Sequence, residues 1–497
     1  MEFSGALTSK LTITAFLTLI FACISIGGAL CSQCFAADET NVHLTILHTN
    51  DTHGFLTPFD TMTAESVGGA AGRASLINEI RRSNEETGPN RHTLLLDAGD
   101  ILENNAMSNF FKGEADIEFM NLVKYDALSF GNHEFGFGMD NFLALAKKAK
   151  FPVLCANVLD AKTGDYLFKP YIIKEFGGVR IAIFGLTSHT LFYNSTAADL
   201  KKIKFVDKNE AYAKILTEMK EKSDYIIFLS HLGVEEDREF ARTHPEIDII
   251  IGSHSHTFLE QPEKIGNIHI FQAGKYGECL GRINLTFKNR KATAMSSRLI
   301  NIADRAAGDL VKKYKDILDP QLDVKLGDLG ATLDNLSKYE LPTPLFDFVL
   351  KVLHEHTRAD FSMETAASIT GRLDAGPIHL KNIFRIMPYN NFVVIIKLSG
   401  AEIKKLINYS VSKKKTPFFI QTHGISYEEL NGEARNIKIR GEAIDDNKIY
   451  SAAADNYMAA GGAEDNIIKN LSDDKKVYSD KLIRDLVIHY IKTHGKF

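Results

Sequence analysis

Five short apolar runs each stop at an acidic, amide or imidazole side chain, and this repetition constrains the chain more than anything else in it. Leu44-Thr45-Ile46-Leu47 leads to Asp51 and His53, and Thr93-Leu94-Leu95-Leu96 leads to Asp97 and Asp100. Ala127-Leu128-Ser129-Phe130 leads to Asn132 and His133, Tyr225-Ile226-Ile227-Phe228-Leu229 to His231, and Ile247-Asp248-Ile249-Ile250-Ile251 to His254 and His256. Runs of this length, rich in branched residues and bounded by Gly, Asn and Asp, read as strands. From residue 41 to about residue 300 they alternate with helical patterns such as Leu76, Ile77 and Ile80, which predicts a layered α/β unit. In an open α/β sheet the loops at the strand ends build the site. If the first strand runs on through Asp51 and His53, these two side chains leave the same face.

The collected donors are carboxylates, imidazoles and one amide, with no thiolate. That set suits Zn, Mn, Co or Fe better than a sulfur-rich structural site. Asp51, His53, Asp100, Asn132, His231, His254 and His256 are too many for one tetrahedral ion. Two divalent ions sharing a bridging carboxylate is the economical count, and Asp100 is the natural bridge.

A chain of 497 residues is too long for one core and predicts two or three folded units. The 58 basic and 63 acidic residues give a net charge of −5, which offers no electrostatic footprint for a nucleic-acid polymer. Residues 1–37 differ in kind: Leu11 to Leu30 carries no charge, Lys10 precedes it, and Cys34-Phe35-Ala36 offers small residues for cleavage. They read as a signal peptide, predicting a periplasmic or secreted protein. The same run is long enough to cross a bilayer, so membrane anchoring through it is the alternative; beyond residue 38 nothing is apolar enough to span. Only Cys155 and Cys279 lie outside this leader, giving either one bridge or two buried thiols.

The stretches His48-Thr49-Asn50-Asp51-Thr52-His53-Gly54, Asp97-Ala98-Gly99-Asp100, Gly131-Asn132-His133-Glu134-Phe135, Ser230-His231-Leu232-Gly233 and Gly252-Ser253-His254-Ser255-His256-Thr257 resemble, in order and spacing, the calcineurin-like metallophosphoesterases. Among these the likeness is to the exported 5′-nucleotidase and UDP-sugar hydrolase family, from about residue 42 to near residue 470. The resemblance implies a two-sheet α/β sandwich flanked by helices over residues 38–303 and a separate α+β substrate-binding domain over residues 326–497. Between them, Leu310, Val311, Tyr314 and Ile317 predict a linker helix within residues 304–325, ended by Pro320. The resemblance further implies that Asp51, His53, Asp100 and His256 hold one ion and Asp100, Asn132, His231 and His254 the other, with a hydroxide between them attacking phosphorus in line. His133, beside the phosphate, would be the general acid or an electrostatic stabiliser.

The C-terminal likeness rests on Ala375-Gly376-Pro377-Ile378, Met387-Pro388-Tyr389-Asn390-Asn391, Leu398-Ser399-Gly400 and Asp455-Asn456-Tyr457-Met458-Ala459-Ala460-Gly461-Gly462. It implies that Tyr389 and Tyr457 sandwich a nucleotide base, as flat rings can do with little sequence demand. Three positions depart from the family pattern. Gly136 stands where an Asp often pairs with the catalytic histidine, leaving Asp140 as a candidate substitute; Thr370 replaces a phosphate-contacting arginine, with Arg372 two residues on; and Ala463 replaces a carboxylate for the sugar, with Glu464 beside it. The expected activity is 5′-nucleotidase hydrolysis of nucleoside monophosphates. The alternatives are a 2′,3′-cyclic phosphodiesterase, a UDP-sugar hydrolase or a broad phosphatase and, in another class, an exported binding protein without turnover.

Overall fold

The apolar runs pair into two six-stranded sheets. The computed structural model describes residues 41–60, 66–189, 197–303, 308–462 and 467–496, so the expected signal peptide, Ala463 and Glu464 lie outside the described residues. The first sheet runs Lys291–Asn301, Cys279–Lys288, Asn41–Thr49, Arg91–Asp97, Ala127–Ser129 and Val153–Leu154 from edge to edge. The second runs Glu263–Ile265, Ile268–Phe271, Ile249–Ile251, Tyr225–His231, Val179–Thr187 and Tyr171–Phe176. In both, the strands that carry the motifs are parallel to a neighbour, so their carboxyl ends emerge on one edge.

Alternation within each strand decides the layers. Leu44, Ile46, Leu94 and Leu96 face the other sheet and pack with Ile181, Ile183, Ile227 and Leu229. Leu47, Leu95 and Leu128 face the opposite way, onto the helices Ala70–Thr87, Glu114–Leu122 and Met139–Lys148. On the far side, Phe184, Phe228 and Ile250 pack under Lys208–Lys222 and Val234–Thr243. The result is a helix–sheet–sheet–helix sandwich, and burial on both faces explains why the runs read as continuously apolar.

The helix expected to end before Pro320 spans Asp309–Leu322 with the proline inside its last turn. Pro320 removes one intrahelical hydrogen bond there, and burial of Val311, Tyr314 and Leu318 against the sandwich keeps the turn in place. Ile317, counted with the apolar stripe in the sequence, is half exposed instead. Beyond it, a five-stranded sheet runs Ile420–His423, Phe361–Thr365, Ile449–Asp455, Phe392–Ser399 and Lys476–Leu482. The helices Pro344–Thr357, Leu380–Ile386 and Ile483–His494 cover one face, and Gly400–Ser412 with a small antiparallel sheet covers the other. Local sequence starts these helices: Thr343 caps Pro344–Thr357 with a proline at its first position, and Ser399 with Glu402 forms a reciprocal capping box. This second unit is α+β, with its own core.

Cys155 and Cys279 are buried free thiols. Among the described residues, no helix is long and apolar enough to cross a membrane.

Phe228 is fully buried, stacked on Phe184 with ring centroids 4.5 Å apart and tilted on Phe240 at 5.0 Å. Phe228→Ala is expected to cost about 3–5 kcal/mol, read as a lower denaturant midpoint for the sandwich in chemical unfolding.

Candidate metal centre

The strand Asn41–Thr49 ends before Asp51, so the two side chains do not share a face through strand alternation as the sequence suggested. Asp51 and His53 both take left-handed backbone, with φ of 49° and 44°. Asp100, His254 and His256 do the same, at 59°, 71° and 56°. Such conformations are uncommon outside glycine and persist only where surroundings hold them. Here the two loops stay laced beyond their strands: the amides of Asp51, His53 and Gly54 donate to the carbonyls of Gly99, Asp100 and Ile101 at 2.8–3.0 Å. Glu134 holds the Asp100 turn from below, its carboxylate accepting the amides of Gly131, Asp100 and Ile101 at 2.6, 3.0 and 2.8 Å.

The seven expected ligands converge. His53 Nε2 lies 3.1 Å from His256 Nε2, and His256 Nε2 lies 3.4 Å from Asp51 Oδ1. Asp100 Oδ1 is 3.1 Å from His231 Nε2, which is 3.2 Å from Asn132 Oδ1. Asp51, His53 and His256 form one cluster and Asp100, His231 and His254 another, each with donor atoms within 4.8 Å of one another. A third overlapping group joins His53, Asp100 and His133, so Asp100 faces both sides, as a bridge must.

The hydrogen bonds select the tautomers. His231 Nδ1 is 2.9 Å from the carbonyl of Ala98, and His53 Nδ1 is 3.1 Å from that of Leu102. A carbonyl only accepts, so each Nδ1 turns a proton toward it and each Nε2 points into the cluster. His53 Nε2 and His256 Nε2 stand 3.1 Å apart, both aimed at the same point of the cluster. About 3.3 Å is the edge expected for two nitrogens on a tetrahedral ion with bonds near 2.0 Å. The residues present therefore fit a pair of divalent cations.

Electrostatics divides the histidines. Burial lowers His53 to about 3 and His254 to about 4, so both are neutral donors. At His231 burial also opposes the charged form, but Asp100 outweighs it and raises the group to about 10. Asp100 itself sits well below its usual value despite burial, held there by His231 and His133.

The cluster opens into a cleft of about 400 Å³ between the two units, with His133, His254 and His256 on one side and Tyr389 and Tyr457 on the other. Gly462 lies against Tyr457, where a Cβ would come within 2.4 Å of the ring. Arg372 does not reach this cleft: it is exposed and paired with Asp374 at 2.8 Å. Thr370 is also turned away, donating to the carbonyl of Arg385. Asp140, the candidate partner for His133, is exposed and pairs with Lys202 at 3.0 Å. The actual partner is Glu103, whose Oε2 is 2.7 Å from His133 Nδ1. Nothing in the sequence marked Glu103, which follows the Asp100 motif in an irregular segment with φ of 67°. Lys275, also unmarked, is the only lysine or arginine among the described residues lining the cleft.

The chain matches the calcineurin-like phosphoesterase model over residues 44–258 and the 5′-nucleotidase C-terminal domain model over residues 323–470. It is 30% identical to the protein UshA of Yersinia enterocolitica, over 84% of this chain and 86% of that protein. The chain belongs to the 5′-nucleotidase family. It is also 27% identical to a 5′-nucleotidase of Vibrio vulnificus over 90% of both chains. Its fold matches a putative 5′-nucleotidase of Staphylococcus aureus, with a TM-score of 0.80 at 20% identity over 91% of this chain and 97% of that one. As a member of this family it is a metal-dependent phosphoric ester hydrolase that uses two divalent cations.

Asp100→Asn removes the charge shared by both clusters. Metal per chain, measured by mass spectrometry, should fall below that of the wild type, and hydrolysis of a phosphate monoester should drop at least ~100-fold.

Proposed function

We propose that this chain is an exported 5′-nucleotidase that converts nucleoside monophosphates to nucleoside and phosphate. The observation that carries the proposal is the cleft in which two tyrosines, Tyr389 and Tyr457, stand opposite a carboxylate–imidazole cluster built for two cations. A flat base fits the first feature and a phosphate ester the second. The names of the relatives, 5′-nucleotidase and UshA, agree with it.

Asp51, His53, Asp100 and His256 would hold one cation and Asp100, Asn132, His231 and His254 the other. Bound there, the cations supply Lewis-acid stabilisation of the phosphate and a water of lowered pKa. The remaining work falls to the chain. The amide of His133 donates to Asp100 Oδ1 at 2.9 Å and fixes that carboxylate. The His133 ring lies at the cleft with Nε2 3.9 Å from Asp100 Oδ2, and burial is outweighed by Asp100 and Glu103, which raise it to about 9. With Nδ1 held by Glu103 at 2.7 Å, Nε2 is the atom placed to give a proton to the departing 5′ oxygen. Tyr389 and Tyr457 orient the base, and Lys275 offers positive charge to the phosphate or sugar side. Residues 1–37 serve as the export signal.

A second substrate range is favoured by one observation: with Arg372 outside the cleft and Thr370 turned away, no guanidinium lines the described pocket. Discrimination among phosphate esters is weaker without such a fork. UDP-sugars, which are diphosphate diesters, and phosphate monoesters other than nucleotides are the secondary substrates.

Hydrolysis, read by chromatography of the products, should be measured across nucleoside monophosphates, 2′,3′-cyclic nucleotides, UDP-glucose and glycerol phosphate. The expected order puts nucleoside monophosphates first, with activity abolished by chelation and restored by Mn or Co; preference for a cyclic nucleotide would overturn the proposal. Tyr389→Ala should raise KM for the best nucleotide about tenfold, within the ~1–3 kcal/mol of one stacked base, and leave glycerol phosphate hydrolysis within about twofold.

A further inference from the structure

His133 is oriented by a carboxylate that arrives from an unexpected place. Glu103 and Gly136 compete for one volume: a Cβ built on Gly136 would lie 1.8 Å from Glu103 Cδ and 2.0 and 2.2 Å from its two oxygens. Gly136 has φ −58° and ψ −18°, ordinary right-handed helical backbone that any residue adopts. Its lack of a side chain is therefore a demand of space and not of backbone conformation. The space is filled by a group that touches His133 at 2.7 Å and is itself 4% exposed.

Both oxygens of Glu103 are engaged. Oε2 faces His133 Nδ1, and Oε1 accepts from Asn390 Nδ2 of the C-terminal unit at 2.8 Å. Asn390 is anchored in turn by buried Arg484, whose Nη2 donates to its Oδ1 and whose Nη1 donates to the carbonyl of Met387. The amide of Glu103 donates to Ser108 Oγ at 3.1 Å, fixing the left-handed turn from which the side chain projects. A buried, doubly held carboxylate at hydrogen-bond distance keeps an imidazole in one ring orientation and one tautomer, with Nε2 toward the substrate.

We propose that Glu103 is the positioning residue for His133, that Gly136 is glycine in order to admit it, and that Asn390 fixes its pose from the second unit. The inference rests on the proposed role of His133 toward the leaving oxygen. It makes positions 103 and 136 alternatives, since the site has room for one carboxylate supplied from either.

Glu103→Ala, Glu103→Gln, Gly136→Asp and the double variant Glu103→Ala/Gly136→Asp test this. Each is assayed on glycerol phosphate and on 4-nitrophenyl phosphate, with bound metal quantified. Neither ester needs the nucleoside pocket, so a failure of the nucleotide assignment leaves this test intact. Glu103→Ala is expected to lower kcat roughly 10- to 100-fold on glycerol phosphate, with KM within about threefold and metal content unchanged. The loss should be smaller on 4-nitrophenyl phosphate, whose leaving group needs little protonation. Glu103→Gln should fall between Glu103→Ala and the wild type. Gly136→Asp alone should be impaired by displacing Glu103, and the double variant should recover most of the kcat lost by Glu103→Ala. Three results would each overturn the proposal: wild-type kcat in Glu103→Ala, an equal loss on both esters with no recovery in the double variant, or a loss traced wholly to missing metal.

Discussion

The structure depends on holding negative charge where burial opposes it. Asp51 and Asp100 are completely enclosed, yet both carboxyls stay below their usual range because His256 and His231 stand against them. Isolated buried charges are among the most costly things a fold can contain, and groups placed this way are paired or bound to metal. Five of the candidate ligands also occupy left-handed backbone. At about 1 kcal/mol each, even at the low end, that strain amounts to a sizeable share of the ~5–15 kcal/mol separating folded from unfolded chains. Two sheets packed face to face over a buried apolar core, and the laced loops above them, supply the opposing stabilisation.

The same constraint explains the importance of Glu134. Three backbone amides from two loops converge on its carboxylate, so the turn carrying Asp100 and the turn carrying Asn132 cannot move independently. Burial, together with the charge of Asp100, raises Glu134 to about 8. The second unit joins this network at its centre: Asn390 reaches Glu103, and Asn109 donates to the carbonyl of Pro388 at 2.9 Å. The elements that would recognise a base and those that would handle a phosphate are thus linked by hydrogen bonds as well as by the chain.

The metal side of the site was legible because each ligand follows a strand whose apolar pattern is local, and because parallel strands deliver their ends to one edge. The substrate side was less so. Arg372 looked suitable by its distance from Thr370 along the chain, but Asp374 draws it into solvent. Asp140 looked suitable by its nearness to His133, but the helix Met139–Lys148 turns it outward to Lys202. Glu103 carries no local signal because its contact with His133 spans thirty residues and depends on a vacancy created by Gly136. Sequence separation measures none of these directions.

By itself the sequence determined the motif-bearing strands, the amphipathic linker helix, the seven candidate donors and the presence of a second unit, since periodicity is a property of neighbouring residues. Only the tertiary structure decided that the ligands leave their strands through left-handed turns, which nitrogen of His53 and His231 faces inward, and which carboxylate meets His133. Those outcomes are set by packing between segments far apart in the chain, where a shift of an ångström or two exchanges one partner for another and the local sequence carries no record of the choice.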